Sequence, residues 1–163
     1  MDYKVGIGYD IHRFAPKKKL MLGGVEIPFA KGLLGHSDAD VVLHALCDAL
    51  LGAMGAGDIG LHFPPGDPAT RNISSLKLLE QVARLLRRRH FTVSNADVMV
   101  ILEKPKIAPF VAGMRAKIGA VLGVGCEKIS IKATTHEGIG EIGHGRAAAA
   151  YAVAMIKKTK AFK

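Results

Sequence analysis

Gly6-Ile7-Gly8-Tyr9-Asp10-Ile11-His12 decides how this chain is read. Its loose alternation, continuing from residue 3, predicts a strand over 3–11. Positions i and i+2 of a strand project from one face, so Asp10 and His12 point the same way. A carboxylate and an imidazole so placed are two legs of a metal site. His44 offers a third leg, inside Gly35-His36-Ser37-Asp38-Ala39-Asp40-Val41-Val42-Leu43-His44. An Asp and two His suit zinc and leave one tetrahedral position open for chemistry.

Outward from this stretch, Pro16 and three lysines mark a surface turn. Residues 20–28 read as a second strand, with a hairpin about Gly23-Gly24. Ser37 or Asp38 caps a helix predicted over 38–55, on which Asp40, His44 and Asp48 follow one another by four and share a face. Asp40 or Asp48 is then available to orient the His44 ring. A long loop over 56–72 carries Asp58-Ile59-Gly60 and Phe63-Pro64-Pro65-Gly66-Asp67-Pro68. An amphipathic helix over 74–89, a strand over 93–103, a helix over 107–122 and a strand over 129–135 follow. A glycine-rich stretch, 138–145, leads into an alanine-rich final helix over 146–158. This order predicts a single α+β domain over residues 1–163, one mixed β-sheet packed with helices.

Composition narrows the partners. A hydrophobic fraction of 49% supports a packed core and excludes a disordered chain. The formal charge of +9 points to an anionic partner. No zinc finger and no aromatic-basic RNA signature accompanies it, so a small anionic substrate is expected rather than nucleic acid. Cys47 and Cys126 are single and far apart, which excludes a disulfide framework. No apolar run approaches the ~20 residues of a membrane span, and the start does not read as a signal peptide. The expected location is the cytoplasm.

Three further segments carry potential chemistry. His36-Ser37 stands at the predicted helix N-terminus, where free N–H groups favour phosphate. Thr134-Thr135-His136-Glu137 follows a strand and offers hydroxyls and backbone N–H groups to phosphate, with Glu137 able to hold a hard cation such as Mg²⁺. Lys104-Pro105-Lys106 is a basic strand-end turn suited to a nucleotide phosphate or base.

Taken with Leu22-Gly23-Gly24-Val25, Gly57-Asp58-Ile59-Gly60, Phe63-Pro64 and Lys132-Ala133-Thr134-Thr135, these motifs resemble, nearly end to end, the 2-C-methyl-D-erythritol 2,4-cyclodiphosphate synthase family of the non-mevalonate isoprenoid pathway. The resemblance implies a substrate, 4-diphosphocytidyl-2-C-methyl-D-erythritol 2-phosphate, whose 2-phosphate attacks the β-phosphorus and expels CMP. It implies Zn²⁺ on Asp10, His12 and His44, and Mg²⁺ or Mn²⁺ at the diphosphate with Glu137 involved. His36 and Thr135 match residues assigned as transition-state stabilisers. Further matches to substrate contacts are Asp10, His12, Ser37, Asp58, Ile59, Gly60, Phe63 and Asp67. Leu102, Pro105, Lys106, Ala133, Thr134, Thr135 and Glu137 match the cytidine and diphosphate side. The family is a homotrimer with a chorismate-mutase-like arrangement, sheets around a threefold axis, and active sites between subunits.

The chain departs from the family in several places. Pro65 stands where members often carry Asp, and Gly138 where they often carry Lys. Glu141, His144 and Arg146 stand where some members line a central cavity with an aromatic residue and an Arg-x-Glu pair. Two other readings compete. A zinc-dependent phosphohydrolase would activate water with the same ligands. A basic binding protein with a structural zinc would need a fourth protein ligand, and the sequence offers three good ones.

Overall fold

A computed structural model describes residues 2–64 and 73–159. Strand β1 (Tyr3–Pro16) is central to it. It pairs antiparallel with β4 (Lys31–Leu33) on one side and β7 (Ala147–Lys158) on the other. Next to β7 lie β5 (Phe91–Ile101), antiparallel to it, and β6 (Ile129–Thr134), parallel to β5. The mixed sheet therefore runs β4-β1-β7-β5-β6. The hairpin at Gly23-Gly24 forms as expected, from β2 (Leu20–Leu22) and β3 (Val25–Ile27). It is a two-stranded sheet of its own rather than part of a single one.

Helix α1 (Val41–Ala53) lies across β1 and β7, and glycine makes the approach possible. A Cβ on Gly6 would stand 2.0 Å from the Ala49 carbonyl oxygen, and one on Gly8 1.9 Å from that of Ala45. Beneath the same helix, β7 presents Ala148, Ala150, Ala152 and Ala154, all fully buried. This corrects the expected final helix over 146–158. Alanine favours helix intrinsically, but the pattern here has period two, with Tyr151 and Val153 facing outward. Burial of a thin strand face under α1 prevails over propensity.

Of the other helices, the first three cover the same face of the sheet or the loops beside it, and the last packs Ile142 on Ala147 and Ala149 of the opposite face. They are α2 (Ile59–His62), α3 (Ser75–Arg88), α4 (Val111–Leu122, entered by a 3-10 turn at Ala108–Phe110) and α5 (Gly140–Gly143). Beyond the α5 contact, the opposite face of β1 and β7 is left uncovered. Val5, Ile7, Tyr9, Ile11, Tyr151 and Val153 are all exposed there, Ile7 at 69%, and the Tyr9 and Tyr151 rings pack at 4.6 Å. Among the described residues no helix is long and apolar enough to cross a membrane.

Candidate metal centre and phosphate site

The inward face of β1 continues from Gly6 and Gly8 to Asp10 and His12. The close approach of α1 brings His44 over them. Asp10 Oδ2 lies 3.2 Å from His12 Nε2 and 2.9 Å from His44 Nδ1, and the two ring nitrogens are 3.4 Å apart. A tetrahedral ion with bonds of ~2.0–2.1 Å needs ligand atoms about 3.3 Å apart. The triangle already has that size, so Asp10, His12 and His44 fit a metal, and they form the group of potential ligands found among the described residues. Burial opposes ionisation of Asp10, but hydrogen bonds from both histidines outweigh it and hold the carboxyl well below the usual range. The bond to Asp10 raises the His12 pKa against burial, and the Leu34 backbone adds to the rise.

The loop before α1 differs from expectation in its caps. Ala39 takes a left-handed conformation (φ 56°), and the helix begins after it. The N-cap is Asp40, whose side chain accepts from Leu43 N–H at 3.2 Å. Neither Ser37 nor Asp38 caps α1. Asp40 also accepts from Gly23 N–H at 2.9 Å and Gly24 N–H at 2.7 Å, which ties the β2–β3 hairpin to the helix start. Its complete burial pushes its pKa up to about 6, with the neighbouring Asp38 adding and the backbone donors of Gly24, Gly23 and Leu43 opposing. A buried carboxyl therefore takes the Leu43 N–H at this helix end. Asp40 and Asp48 do not orient His44, since Asp48 accepts from Ile59 N–H at 2.7 Å.

Two serines hold the His44 ring instead, Ser37 and one, Ser75, that the sequence did not single out. Its Nε2 lies 2.9 Å from Ser75 Oγ and 3.0 Å from Ser37 Oγ. Ser75 is the first residue of α3 and fully buried, and its hydroxyl bonds the Asp38 carboxylate. Nothing local in the sequence distinguishes Ser75 from any serine beside a helix start. The docking of α3 against α1 brings it 31 residues back to His44.

A cavity of about 170 Å³ opens beside the triangle. It is lined by His12, His36, Ser37, His44, Ile59, Gly60 and Phe63, and by Ile73 and Leu78. The expected residues of this half thus come together. Asp58 caps α2, its carboxylate accepting from Leu61 N–H at 2.8 Å. Pro65 and Asp67 lie outside the described residues. A larger cavity of about 690 Å³, against Arg84, Arg87 and Arg88 of α3, contains no carboxylate among its described lining residues and is not the metal site.

The other expected residues assemble elsewhere. Leu102 N–H donates to Thr134 O at 3.1 Å, His136 N–H donates to Glu103 at 2.7 Å, and the Thr135 hydroxyl bonds Glu137. Pro105 and Lys106 follow on the turn after β5. Ala133, Thr134, Thr135 and Glu137 are all exposed, and Glu137 is left-handed (φ 51°) beside Gly138. Asp10 pairs with Ala150, Ala150 with Val100 and Val100 with Ala133. Ala133 is therefore level with Asp10 but three strand spacings away, about 14 Å. Within one chain the two halves do not meet.

A model of the YgbB family matches residues 3–157. The 2-C-methyl-D-erythritol 2,4-cyclodiphosphate synthase of Symbiobacterium thermophilum is 57% identical over 152 residues, covering 93% of this chain and 97% of that one. The enzyme of the same name from Gloeobacter violaceus is 49% identical over 157 residues, 96% of each chain. Among solved structures, IspF of Plasmodium falciparum in complex with CDP superposes with a TM-score of 0.85 at 33% identity, over 97% of both chains. The bifunctional IspDF of Campylobacter jejuni gives a TM-score of 0.93 at 36% identity, over 98% of this chain and 43% of that longer one. The chain belongs to the YgbB family, the family of these cyclodiphosphate synthases.

Proposed function

We propose that this protein converts 4-diphosphocytidyl-2-C-methyl-D-erythritol 2-phosphate to 2-C-methyl-D-erythritol 2,4-cyclodiphosphate and CMP, as one synthase domain over residues 1–163 acting in the cytoplasm. The observation that carries this is a metal-sized Asp10–His12–His44 triangle opening on a cavity, in a chain 57% identical to a named synthase.

The chemistry suits the site. The nucleophile is already an anionic phosphate and the leaving group is a phosphate monoester, so little proton transfer is needed. The barrier is the approach of two anions, which charge and alignment lower. Zn²⁺ on Asp10, His12 and His44 would supply positive charge against the attacked or attacking phosphate, and Mg²⁺ or Mn²⁺ with Glu137 would do so at the diphosphate. His36 and Ser37 present an imidazole and a hydroxyl to phosphate oxygens at the cavity, while Asp58, Ile59, Gly60 and Phe63 border the methylerythritol. On the other half, the Thr134 and Thr135 hydroxyls donate to the diphosphate. Leu102, Pro105, Lys106 and Ala133 border the cytidine, and Asp67 completes the substrate contacts.

The reading assigns the two halves of each site to neighbouring copies in a homotrimer, with the sheets around a threefold axis. Two features support it. The halves are three strands apart in one chain, and the uncovered face of β1 and β7 is an apolar patch of the kind that marks an interface. The phosphohydrolase reading is not favoured, since the relatives are cyclising enzymes by name.

Incubation with the substrate and Mg²⁺, with and without a zinc chelator, tests the proposal. CMP and a cyclic diphosphate, seen by mass and ³¹P resonance and lost with the chelator, are expected. A linear bisphosphate product would instead establish water activation and overturn the cyclase reading.

A further inference from the structure

We propose that Asp38 and Ser75 are positioning residues that hold a proton on His44 Nε2 and so leave Nδ1 as the metal-binding nitrogen. This deepens the proposed function and rests on the reading that Asp10, His12 and His44 hold a metal. The Ser75 hydroxyl has one proton and touches two groups, the Asp38 carboxylate and His44 Nε2. A carboxylate only accepts, so the hydroxyl donates to Asp38. Toward His44 the same oxygen must therefore accept, and Nε2 must donate. Asp38 is itself fixed, because its Oδ2 accepts the Ser75 backbone N–H at 3.0 Å. Ser37 Oγ, which accepts from Ala39 N–H at 3.1 Å, stands 3.0 Å from Nε2 and serves as a second acceptor.

The nitrogen left over is Nδ1, and it faces Asp10 and His12. A neutral imidazole has one donor nitrogen and one acceptor nitrogen. Without an ion Nδ1 also carries a proton toward Asp10; when the metal displaces it, the proton pinned on Nε2 leaves the Nδ1 lone pair to the ion, as acceptors behind other metal-ligating histidines ensure. Burial of Ser75 makes the arrangement rigid, and because Ser75 opens α3, the ring is aligned only when α3 is docked.

Asp38→Asn is the decisive variant. The Asn oxygen is needed by the Ser75 backbone N–H, which turns the amide NH₂ toward the Ser75 hydroxyl. That hydroxyl then donates to Nε2 and drives the proton onto Nδ1. Two measurements read the result: zinc affinity by competition with a chromophoric chelator, and ¹⁵N–¹H correlation of the His44 ring in zinc-loaded protein. The expected outcome is a directly bonded proton on Nε2 of wild type, and zinc binding weakened about 10–100-fold in Asp38→Asn. Ser75→Ala, which leaves Ser37 as acceptor, should weaken it less. A wild-type Nε2 without a proton, or wild-type zinc affinity in Asp38→Asn, overturns the proposal. Failure of the metal reading is distinguished by His12→Ala: zinc bound equally by that variant and wild type would remove the site itself. The wild-type resonance decides the tautomer even if a variant does not fold.

Discussion

The two halves of the candidate site are built in opposite ways. The Asp10–His12–His44 half sits between β1 and α1, its ligands half-buried and its third ring held from behind by Ser37 and Ser75. The Thr134–Glu137 half projects from the end of the edge strand β6 and is exposed throughout. Each half gets its rigidity from a different source. The first is rigid because the core of one chain makes it so. The second is held at the surface, by bonds such as Leu102 N–H to Thr134 O, His136 N–H to the Glu103 carboxylate and the Thr135 hydroxyl to Glu137, and a substrate bound there would need another surface to close around it.

The first test breaks the self-contained half. His12→Ala or His44→Ala should lose zinc and slow CMP release by about 10³-fold or more, the scale of several kcal/mol of lost charge stabilisation, while the oligomer persists. Metal content, CMP release and sedimentation measure the three parts. Full turnover without zinc would sink the metal assignment.

Whether the open half is completed by a neighbour can be tested by mixing. Glu137→Gln should keep its zinc and cut the rate, and His12→Ala should be inactive for want of zinc. When the two are co-expressed, a site with both halves intact arises where the zinc half of one variant meets the Glu137 half of the other. Random assembly gives about one quarter of such sites in a shared-site trimer. Recovery of roughly that fraction of wild-type CMP release is expected. No recovery in a proven mixed oligomer would mean that each chain builds its own site.

The self-contained half was also the more legible one. Period-two projection aligned Asp10 with His12, and the Gly6-x-Gly8 spacing, which in the sequence marked only a strand, turned out to be what lets α1 and His44 reach them. What stayed hidden were partners distant in sequence. Ser75 meets His44 only through the packing of α3, and Asp40 looked like a helix-face carboxylate until the hairpin glycines closed on it. The β7 error has a different cause. Its alanines carry a helix propensity that burial beneath α1 overrides. The other half was read from its residues as a phosphate and cation turn, but only family resemblance joined it to Asp10, because nothing in one chain's periodicity links the two.

Stability should follow the same division. Asp40→Ala removes the acceptor of three backbone donors, Gly23, Gly24 and Leu43, in a fully buried place. Each orphaned donor costs roughly 1–3 kcal/mol. The unfavourable burial of the carboxyl is relieved at the same time, so a net loss of about 3 kcal/mol in denaturant unfolding is expected. The pH dependence gives an independent check. The folded pKa of Asp40, about 6, lies above its ordinary 3.8, so the folded state holds this proton more tightly. This group's contribution is present below pH 4 and is lost as pH rises through 6, and Asp40→Ala should abolish that slope. Glu141→Gln, by contrast, breaks an exposed pair with Arg146 at 2.9 Å on the open side of the molecule. Exposed pairs contribute about 0–1 kcal/mol, so its unfolding midpoint should barely move. A loss as large as that of Asp40→Ala would show that the open region is held by its own chain after all, and would remove the contrast between the two halves.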